Sequence, residues 1–241
     1  MKKDKTDSVD NISKSSKNSV QAKTRERLLQ AALTAFGHHD FDSVSTRQIA
    51  DAAGANISAI SYHFGGKGAL YMAVAAYIVE NIHPLQAKNI DKVNLALHEM
   101  EQVGVDVERC RLLLQNLLRQ HALNILTSEL GEDVPGFILR EQSHPTKAFA
   151  ILYNNLFEPL HTVVTKLVAS IKGLSPGHKE ACLVAHALLG QIIYFRVGRT
   201  GLLRRLEQQS YSSKDIEQIS LLVSTLANQA LNYTILEEDS P

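Results

Sequence analysis

Residue types that mark several protein classes are scarce in this chain. Two cysteines, Cys110 and Cys182, are too few for a disulfide framework among 241 residues, and they lack the C-x-x-C spacing of many metal and redox sites. There is no unbroken apolar run of the ~20 residues that a membrane-spanning helix needs. The charged N-terminus is not followed by the apolar block of a secretory signal. These absences predict a cytoplasmic protein with no membrane partner.

Charge of neither sign is in excess, because 25 Lys and Arg balance 25 Asp and Glu. The distribution is uneven, since residues 1–27 hold eight basic and four acidic side chains. A nucleic acid would therefore be bound at the N-terminal end, and not by the field of the whole protein. Residues 1–22 have almost no large apolar side chains. This composition predicts a disordered tail, either simply solvated or touching DNA phosphates through its lysines.

Apolar residues recur at three- and four-residue steps along most of the remaining chain, without the alternation that marks strands. We therefore predict an all-α fold. Caps and glycines predict the first helices at Thr24–Gly37, from Ser45 or Thr46 to Gly54, at residues 57–64 and from Lys67 onward. Further helices are expected at about 108–130, 146–171 with a bend near Pro159, 178–197 and 213–236.

The segment Thr46–Phe64 has the pattern of a helix-turn-helix. Ala50 is small where two helices would cross closely, and Gly54 stands in the turn, where a positive φ is needed. Ile49 and Ile60 are spaced to fill the wedge between the helices. Such a pair places its second helix in the major groove of DNA and its first helix across the backbone.

The sequence around this segment resembles the DNA-binding domain of TetR-family repressors. The resemblance runs without a gap from Thr24 to Ile82 and includes Phe36-Gly37, Val44–Arg47, Ser61–Phe64 and Lys67 after a glycine pair. Farther along, three stretches resemble the C-terminal domain of the CecR-like branch of that family: His144–Thr146, Glu158–Leu160 and Leu189–Arg199.

The resemblance implies two helical domains. Residues 23–68 would form an N-terminal three-helix helix-turn-helix DNA-binding domain, to which a fourth helix at 67–82 is the link. Residues 83–241 would form a C-terminal helical domain for ligand binding and dimerisation. The implied function is that of a repressor, which a small-molecule effector releases from a palindromic operator in double-stranded DNA.

For DNA contact, the resemblance implies eight residues: Arg47, Ile57, Ser58, Ala59, Ser61, Tyr62, His63 and Lys67. Arg47 would reach bases or phosphates at the groove edge, while Ile57 or Ala59 can meet a thymine methyl group. The two serines and DNA shape would add specificity. Tyr62, His63 and Lys67 would contact phosphates, and Lys67 also starts a helix, whose dipole favours anions. His63 can equally be a packing residue.

The last two helices carry broad apolar stripes, which would form a homodimer interface. A dimer lets two DNA-binding domains reach half-sites about 34–36 Å apart. The effector would bind inside the C-terminal domain and shift the fourth helix. Candidate pocket residues are the aromatic and polar side chains Phe137, Arg140, Phe149, Tyr153, His186, Gln191, Tyr194 and Phe195.

Catalytic motifs are missing from the sequence, which has no HExxH, no GxSxG and no phosphate-binding glycine loop. We therefore expect no enzyme activity, no cofactor and no bound metal. Two alternatives keep the same fold: a regulator that senses a metal through His and Cys, and one that acts through protein contacts alone. Cys110 and Cys182 could also sense oxidants, although their apolar helical surroundings predict that both are buried.

Overall fold

The computed structural model describes residues 6–128 and 133–232, with side chains from residue 20 onward. Every regular element in these ranges is helical, which confirms the all-α prediction. The α-helices are α1 (Thr6–His38), α2 (Thr46–Ala52), α3 (Ser58–Phe64), α4 (Lys67–Val103), α5 (Val107–Thr127), α6 (Asp133–Ser143), α7 (Lys147–Leu152), α8 (Glu158–Lys172), α9 (Lys179–Val197), α10 (Arg199–Leu206) and α11 (Ser213–Leu231). A 3₁₀ turn, Phe41–Ser43, precedes α2, and a π-helical turn, Tyr153–Phe157, joins α7 to α8.

Two of the helices extend beyond their predicted ends. Helix α1 begins at Thr6, inside the stretch whose composition predicts disorder. Since no glycine or proline precedes Gly37, nothing in the backbone interrupts that helix. Residues 1–5 of the expected tail lie outside the described residues. Helix α4 continues through Pro84 to Val103, because one proline removes a single backbone donor and here does not end the helix.

The C-terminal helices also differ from the prediction. The helix expected at 146–171 is divided by the π-helical turn just before Pro159, close to the expected bend. Helix α10 was not expected, because only Gly198 separates it from α9. Helix α11 ends at Leu231, and the end expected at residue 236 lies outside the described residues.

The chain divides into two compact units. Unit 1 comprises Met1–Ile78 and Leu130–Leu152, so that α6 and α7 join the N-terminal helices although they come much later in the sequence. Its core is apolar and fully enclosed. The largest buried side chains in this core are Leu28, Phe36, Ile49, Ile60, Leu70, Ile78, Phe137 and Leu152.

Helix α6 packs on α1 at a pair of glycines, Gly37 and Gly136. A Cβ atom on Gly37 would lie 2.6 Å from the carbonyl oxygen of Asp133, and one on Gly136 would overlap the carbonyl oxygen of Gly37. Beside this crossing, the Thr34 hydroxyl donates to Asp133 over 2.6 Å, and His38 Nε2 lies 2.8 Å from the same carboxylate. The two helices therefore meet backbone to backbone, with polar contacts that fix their register.

Unit 2 comprises Val79–Glu129 and Tyr153–Pro241, in which α5, α8, α9 and α11 enclose a second apolar core. The residues of this core include Met100, Leu114, Leu118, Val164, Leu167, Val168, Ala185, Ile192 and Val223. The prediction that both cysteines are buried is correct for Cys110 and wrong for Cys182. Cys182 lies on the outer side of α9, away from the face that Ala181 and Ala185 bury.

Candidate nucleic-acid interface

Helices α2 and α3 form the helix-turn-helix that the sequence pattern predicts. Ser45 caps α2, since its hydroxyl accepts from Gln48 N over 3.2 Å and Gln48 Oε1 accepts from Ser45 N over 2.8 Å. Gly54 has a φ of 57°, the left-handed conformation that the turn requires. Ala50 and Ile60 are each 1% exposed. The small residue and the wedge residue therefore occupy the positions that close packing of the two helices needs.

The predicted contact residues of α3 lie together on its outer side. Ile57 is 50% exposed and Tyr62 is 71% exposed, and Ser58 and Ser61 are exposed beside them. Ala59 is half-buried. Because Ile60 faces inward, the outer side presents mainly short or flat side chains. Such a surface can approach base edges closely.

Ser58 is also part of the helix start. Asn56 Oδ1 accepts from the backbone N–H of Ser58 over 2.9 Å and from its hydroxyl over 2.8 Å. The asparagine side chain thus forms an Asx-turn with the residue two positions ahead, at the start of α3. Since the hydroxyl proton is committed to Asn56, the Ser58 oxygen presents its lone pairs to a partner. It is therefore suited to accept a hydrogen bond, for example from an amino group of adenine or cytosine.

Two basic side chains flank this surface. Arg47 is well exposed, and its Nε lies 4.0 Å from Asp51, a weak ion pair from which the guanidinium can turn away. Lys67, the first residue of α4, is half-buried with its Nζ 4.3 Å from the centre of the Phe41 ring. The ring holds the ammonium in place by a cation–π contact while leaving its charge available.

His63 lies between two aromatic neighbours instead of on the outer surface. It is half-buried, and its ring meets Tyr62 edge-on with centroids 4.9 Å apart and Phe64 at 6.2 Å. The His63 side chain therefore packs against the aromatic rings on either side of it in the sequence.

Helix α1 brings polar residues to α3 that the sequence reasoning did not select. Gln21 Nε2 donates to the Tyr62 hydroxyl over 3.3 Å, and the Arg25 guanidinium lies 5.3 Å from the centre of the Phe64 ring. The excess of basic residues in positions 1–27 indicated that this part of the chain could contact nucleic acid. It does not identify which of these residues lie beside α3. Packing of α1 decides that.

Three residues predicted to line the effector pocket belong to unit 1, and two of them are already engaged there. Phe137 is fully buried with its ring 4.8 Å from that of Tyr71. Arg140 donates from Nε to Asp40 and from Nη1 to the backbone oxygen of Phe36, each over 3.1 Å. Phe149 is half-buried on α7. The structure gives Phe137 and Arg140 packing roles, because an aromatic or basic residue at helical spacing also suits a core or a helix contact.

The other five predicted pocket residues belong to unit 2 and do not converge. Tyr153 and Tyr194 are 43% and 72% exposed, and His186 is also exposed. Gln191 and Phe195 are half-buried, and the backbone oxygen of Phe195 accepts from the Tyr211 hydroxyl over 3.1 Å. Unit 2 does contain a small cavity of about 10 Å³. It is lined by six other residues: Gln86, Asn89, Leu117, His121, Asn124 and Leu160.

His121 is the buried titratable group of this cavity, being 6% exposed. Burial, with a smaller contribution from His161, lowers the pKa of its imidazole to about 4, so it is neutral at pH 7. Burial and the neighbouring His186 likewise lower the pKa of His161, whose ring lies 5.5 Å from that of His186. In the described ranges, no three His, Cys, Asp or Glu side chains are grouped to hold a metal ion.

Helices α9 and α11 expose apolar side chains on the side away from the core. The larger ones are Leu183, Ile193, Tyr194, Val197, Leu221, Leu222 and Leu226. By length and hydropathy, α9 alone among the described helices could cross a membrane, although Glu180, Gln191 and Arg196 interrupt its apolar residues. Its other side packs in the core of unit 2, however, so a second protein surface fits it better than lipid.

Comparison with known proteins links this arrangement to bacterial regulators. Residues 110–232 match the family described as the C-terminal domain of the HTH-type transcriptional dual regulator CecR. Residues 28–74 match the family of bacterial regulatory proteins, tetR family. The chain is 30% identical over 203 residues to the HTH-type transcriptional dual regulator CecR of Shigella flexneri, covering 83% of this chain and 87% of that protein.

Solved structures show the same fold. A transcriptional regulator of Pseudomonas aeruginosa PAO1 superposes with a TM-score of 0.57 at 18% identity, covering 86% of this chain and 91% of the other. AmtR of Mycobacterium smegmatis superposes with a TM-score of 0.52 at 19% identity, covering 87% and 86% of the two chains. At these identities the likeness concerns the fold alone.

Proposed function

Because this chain belongs to the TetR family of transcriptional regulators, we propose that it binds a palindromic DNA operator as a dimer and leaves it when a small molecule binds. The relatives and structural neighbours are regulators and not enzymes. The observation that carries the proposal is the outer side of α3, whose exposed short side chains stand between the basic residues Arg47 and Lys67.

On this proposal, α3 enters the major groove and α2 lies across the backbone. Arg47 reaches a base edge or a phosphate, and the Ser58 oxygen accepts from a base amino group. Tyr62 and Lys67 contact phosphates on either side of the groove. Arg25, which the Phe64 ring holds beside α3, adds a further phosphate contact. Ile57 and Ala59 supply apolar contact with a thymine methyl group.

The apolar outer surface of α9 and α11 is the proposed dimer interface. Seven large apolar side chains are exposed on these two helices, and exposed apolar surface of this kind is typical of protein interaction sites. A symmetric copy of the same two helices would cover them and form a four-helix interface. Two identical DNA-binding domains then read a palindrome, which matches the two-fold symmetry of the protein.

Release requires that the effector bind two states of the protein with different affinity. Helix α4 is the natural connection, since it runs unbroken from Lys67 to Val103 and contributes residues to both units. A ligand that displaces the unit 2 part of α4 changes the position of Lys67. The relative from S. flexneri is named a dual regulator, and for this chain we propose repression as the basic activity, in the cytoplasm.

The test is selection of bound duplexes from a random DNA pool by the purified protein. We expect one palindromic site to be enriched by the unmodified protein and lost by Arg47→Ala. Arg205→Ala is the matched control, because Arg205 is exposed on α10 in unit 2 and should leave the selected site unchanged. Enrichment of no sequence at low salt would contradict DNA-binding regulation by this chain.

A further inference from the structure

The cavity in unit 2 lies between three helices, is partly open to solvent and is lined by both polar and apolar side chains. Gln86 and Asn89 lie on α4, and His121 and Asn124 lie on α5. Leu117 of α5 and Leu160 of α8 form the apolar part of the lining. Asn124 is held in place, because its Nδ2 donates to the backbone oxygen of Leu85 over 3.0 Å. At about 10 Å³, the cavity has room for roughly one water molecule.

His121 is the unusual member of this set. Its Nδ1 is buried and has no hydrogen-bond partner among the described residues, although the side chain lines the cavity and is 94% shielded from solvent. Leaving a buried polar atom unpaired destabilises the folded state, so such atoms in folded proteins generally have a reason to be there. A group that enters the cavity and pairs with this nitrogen would recover that free energy.

The walls also define the chemistry of such a group. None of the six lining residues carries a charge, since Gln86, Asn89 and Asn124 are amides and His121 is neutral at pH 7. A charged ligand would lose part of its hydration here without an ion pair in return. To a neutral ligand the cavity offers an imidazole that can donate or accept a hydrogen bond. It also offers side-chain amides with N–H donors and C=O acceptors, and two leucine side chains.

We propose that this cavity is the effector site, and that the effector is a neutral molecule with a small apolar body and one hydrogen-bonding group that pairs with His121. The inference rests on the proposed function and names the ligand class for it. The apolar body lies between Leu117 and Leu160, and the polar group faces His121 and the amides.

The location connects binding to movement of α4. A molecule larger than water does not fit in about 10 Å³, so it must widen the space between α4 and the helices that face it. Gln86 and Asn89 are half-buried on α4, and both are pushed outward when the cavity opens. This helix begins at Lys67, a proposed phosphate contact, and therefore carries the displacement toward the DNA-binding surface.

The experiment measures binding of four probes of one shape to the full-length protein without DNA at pH 7. Benzyl alcohol and benzamide are neutral, whereas benzoate and benzylamine carry one charge each. Affinity is taken from the dependence of the melting temperature on probe concentration and from calorimetric titration. We expect both neutral probes to bind at least tenfold more tightly than either charged one.

Two variants locate the site, and one serves as the control. His121→Phe removes the hydrogen-bonding partner, and Asn89→Leu alters the opposite wall, so each is expected to weaken binding of the neutral probes by about tenfold or more. If one variant is unfolded, as its melting curve would reveal, the other still decides the question. His98→Phe changes an exposed histidine of the same unit, outside every residue set proposed for binding, and should leave binding intact.

Three results would overturn the inference: binding by both cavity variants that equals binding by the unmodified protein, tighter binding of a charged probe, or no binding of any probe to the unmodified protein. The last would make the cavity a site for water alone. Because no DNA is present, these results are independent of the operator selection that tests the proposed function.

Discussion

The hydroxyl of Tyr71 on α4 donates a hydrogen bond of 2.6 Å to Glu141 on α6, and both side chains are buried. Glu141 is 0% exposed, and its carboxylate also accepts from the backbone N–H and the hydroxyl of Thr146, each over 3.0 Å. A buried acidic group is tolerated only when it is well paired, as it is here. This pair ties α6, a late segment of the chain, into the packing of unit 1.

Replacing Tyr71 by Phe removes the hydroxyl and leaves Glu141 with Thr146 only. We expect the free energy of unfolding to fall by about 1–2 kcal/mol, as measured by urea denaturation at pH 7. Burial, and secondarily the bond to Glu141, raise the pKa of Tyr71 well above its usual range. The stabilisation is therefore complete below pH ~10, where an unfolded tyrosine begins to ionise, and is lost as the pH rises further.

The control for this variant is Tyr62→Phe, because Tyr62 is 71% exposed. Its unfolding free energy should match that of the unmodified protein. If the two variants were equally stable at pH 7, the buried pair would not contribute to holding α6 in unit 1.

The glycine pair gives a second prediction. Gly136→Ala would force a Cβ into the carbonyl oxygen of Gly37, so α1 and α6 must separate. We expect a loss of about 1–3 kcal/mol in unfolding free energy. Gly68→Ala is the matched control in the same unit, since a Cβ there meets nothing within 4 Å and alanine favours helix. A Gly136→Ala protein as stable as the Gly68→Ala protein would disprove the close crossing.

The sequence predicted the helix-turn-helix well because its signals are local. The Ser45 cap, the positive φ at Gly54 and the buried Ile60 depend on residues within one short segment. The partner of Gly37, by contrast, lies some hundred residues away, and no local pattern tells which helices meet. The predicted pocket included Phe137 and Arg140 for the same reason. Their neighbours are set by the tertiary structure, which a local sequence pattern does not show.

The pKa of His121 predicts how stability depends on pH. Because burial lowers this pKa to about 4, against about 6.5 in an unfolded chain, the unfolded state binds the proton more readily. The stabilisation is complete above pH ~6.5 and is lost as the pH falls toward 4. Between pH 8 and pH 5 the loss is about 2 kcal/mol. His161, whose pKa is also lowered, adds a loss of the same sign.

The measurement is the unfolding free energy at pH 8 and pH 5 for three proteins. His121→Leu should show the smaller pH dependence, whereas His83→Asn, at an exposed position, should behave like the unmodified protein. An unchanged pH dependence in His121→Leu would show that this imidazole is not shielded in solution.

Lys67 predicts a salt effect. If its ammonium contacts a phosphate, Lys67→Gln should reduce the slope of log affinity against log salt by about 0.9, equally for operator and random duplexes. Lys166→Gln, at an exposed position on α8, should leave the slope unchanged. The slopes are obtained from fluorescence anisotropy at several KCl concentrations. Identical slopes for the two variants would show that Lys67 does not contact a phosphate.

The proposed dimer surface predicts a difference between two exposed leucines. Leu183→Asp places a carboxylate on α9 in each subunit, and burying the two should weaken dimerisation about a hundredfold. Leu112→Asp on α5 should leave dimerisation unchanged, although Leu112 is 59% exposed and thus no less exposed than Leu183, at 50%. Sedimentation equilibrium distinguishes them. Equal dissociation constants would place the interface elsewhere.

The late position of α6 has a consequence for synthesis of the protein. Unit 1 is incomplete until α6 and α7 have left the ribosome, after all of α4 and α5. Until then Tyr71 has no Phe137 to cover it, so a nascent chain that ends before α6 exposes this aromatic ring to chaperones. A product of translation that ends before α6 would accordingly have an incomplete unit 1, in which the ring of Tyr71 lacks its partner Phe137.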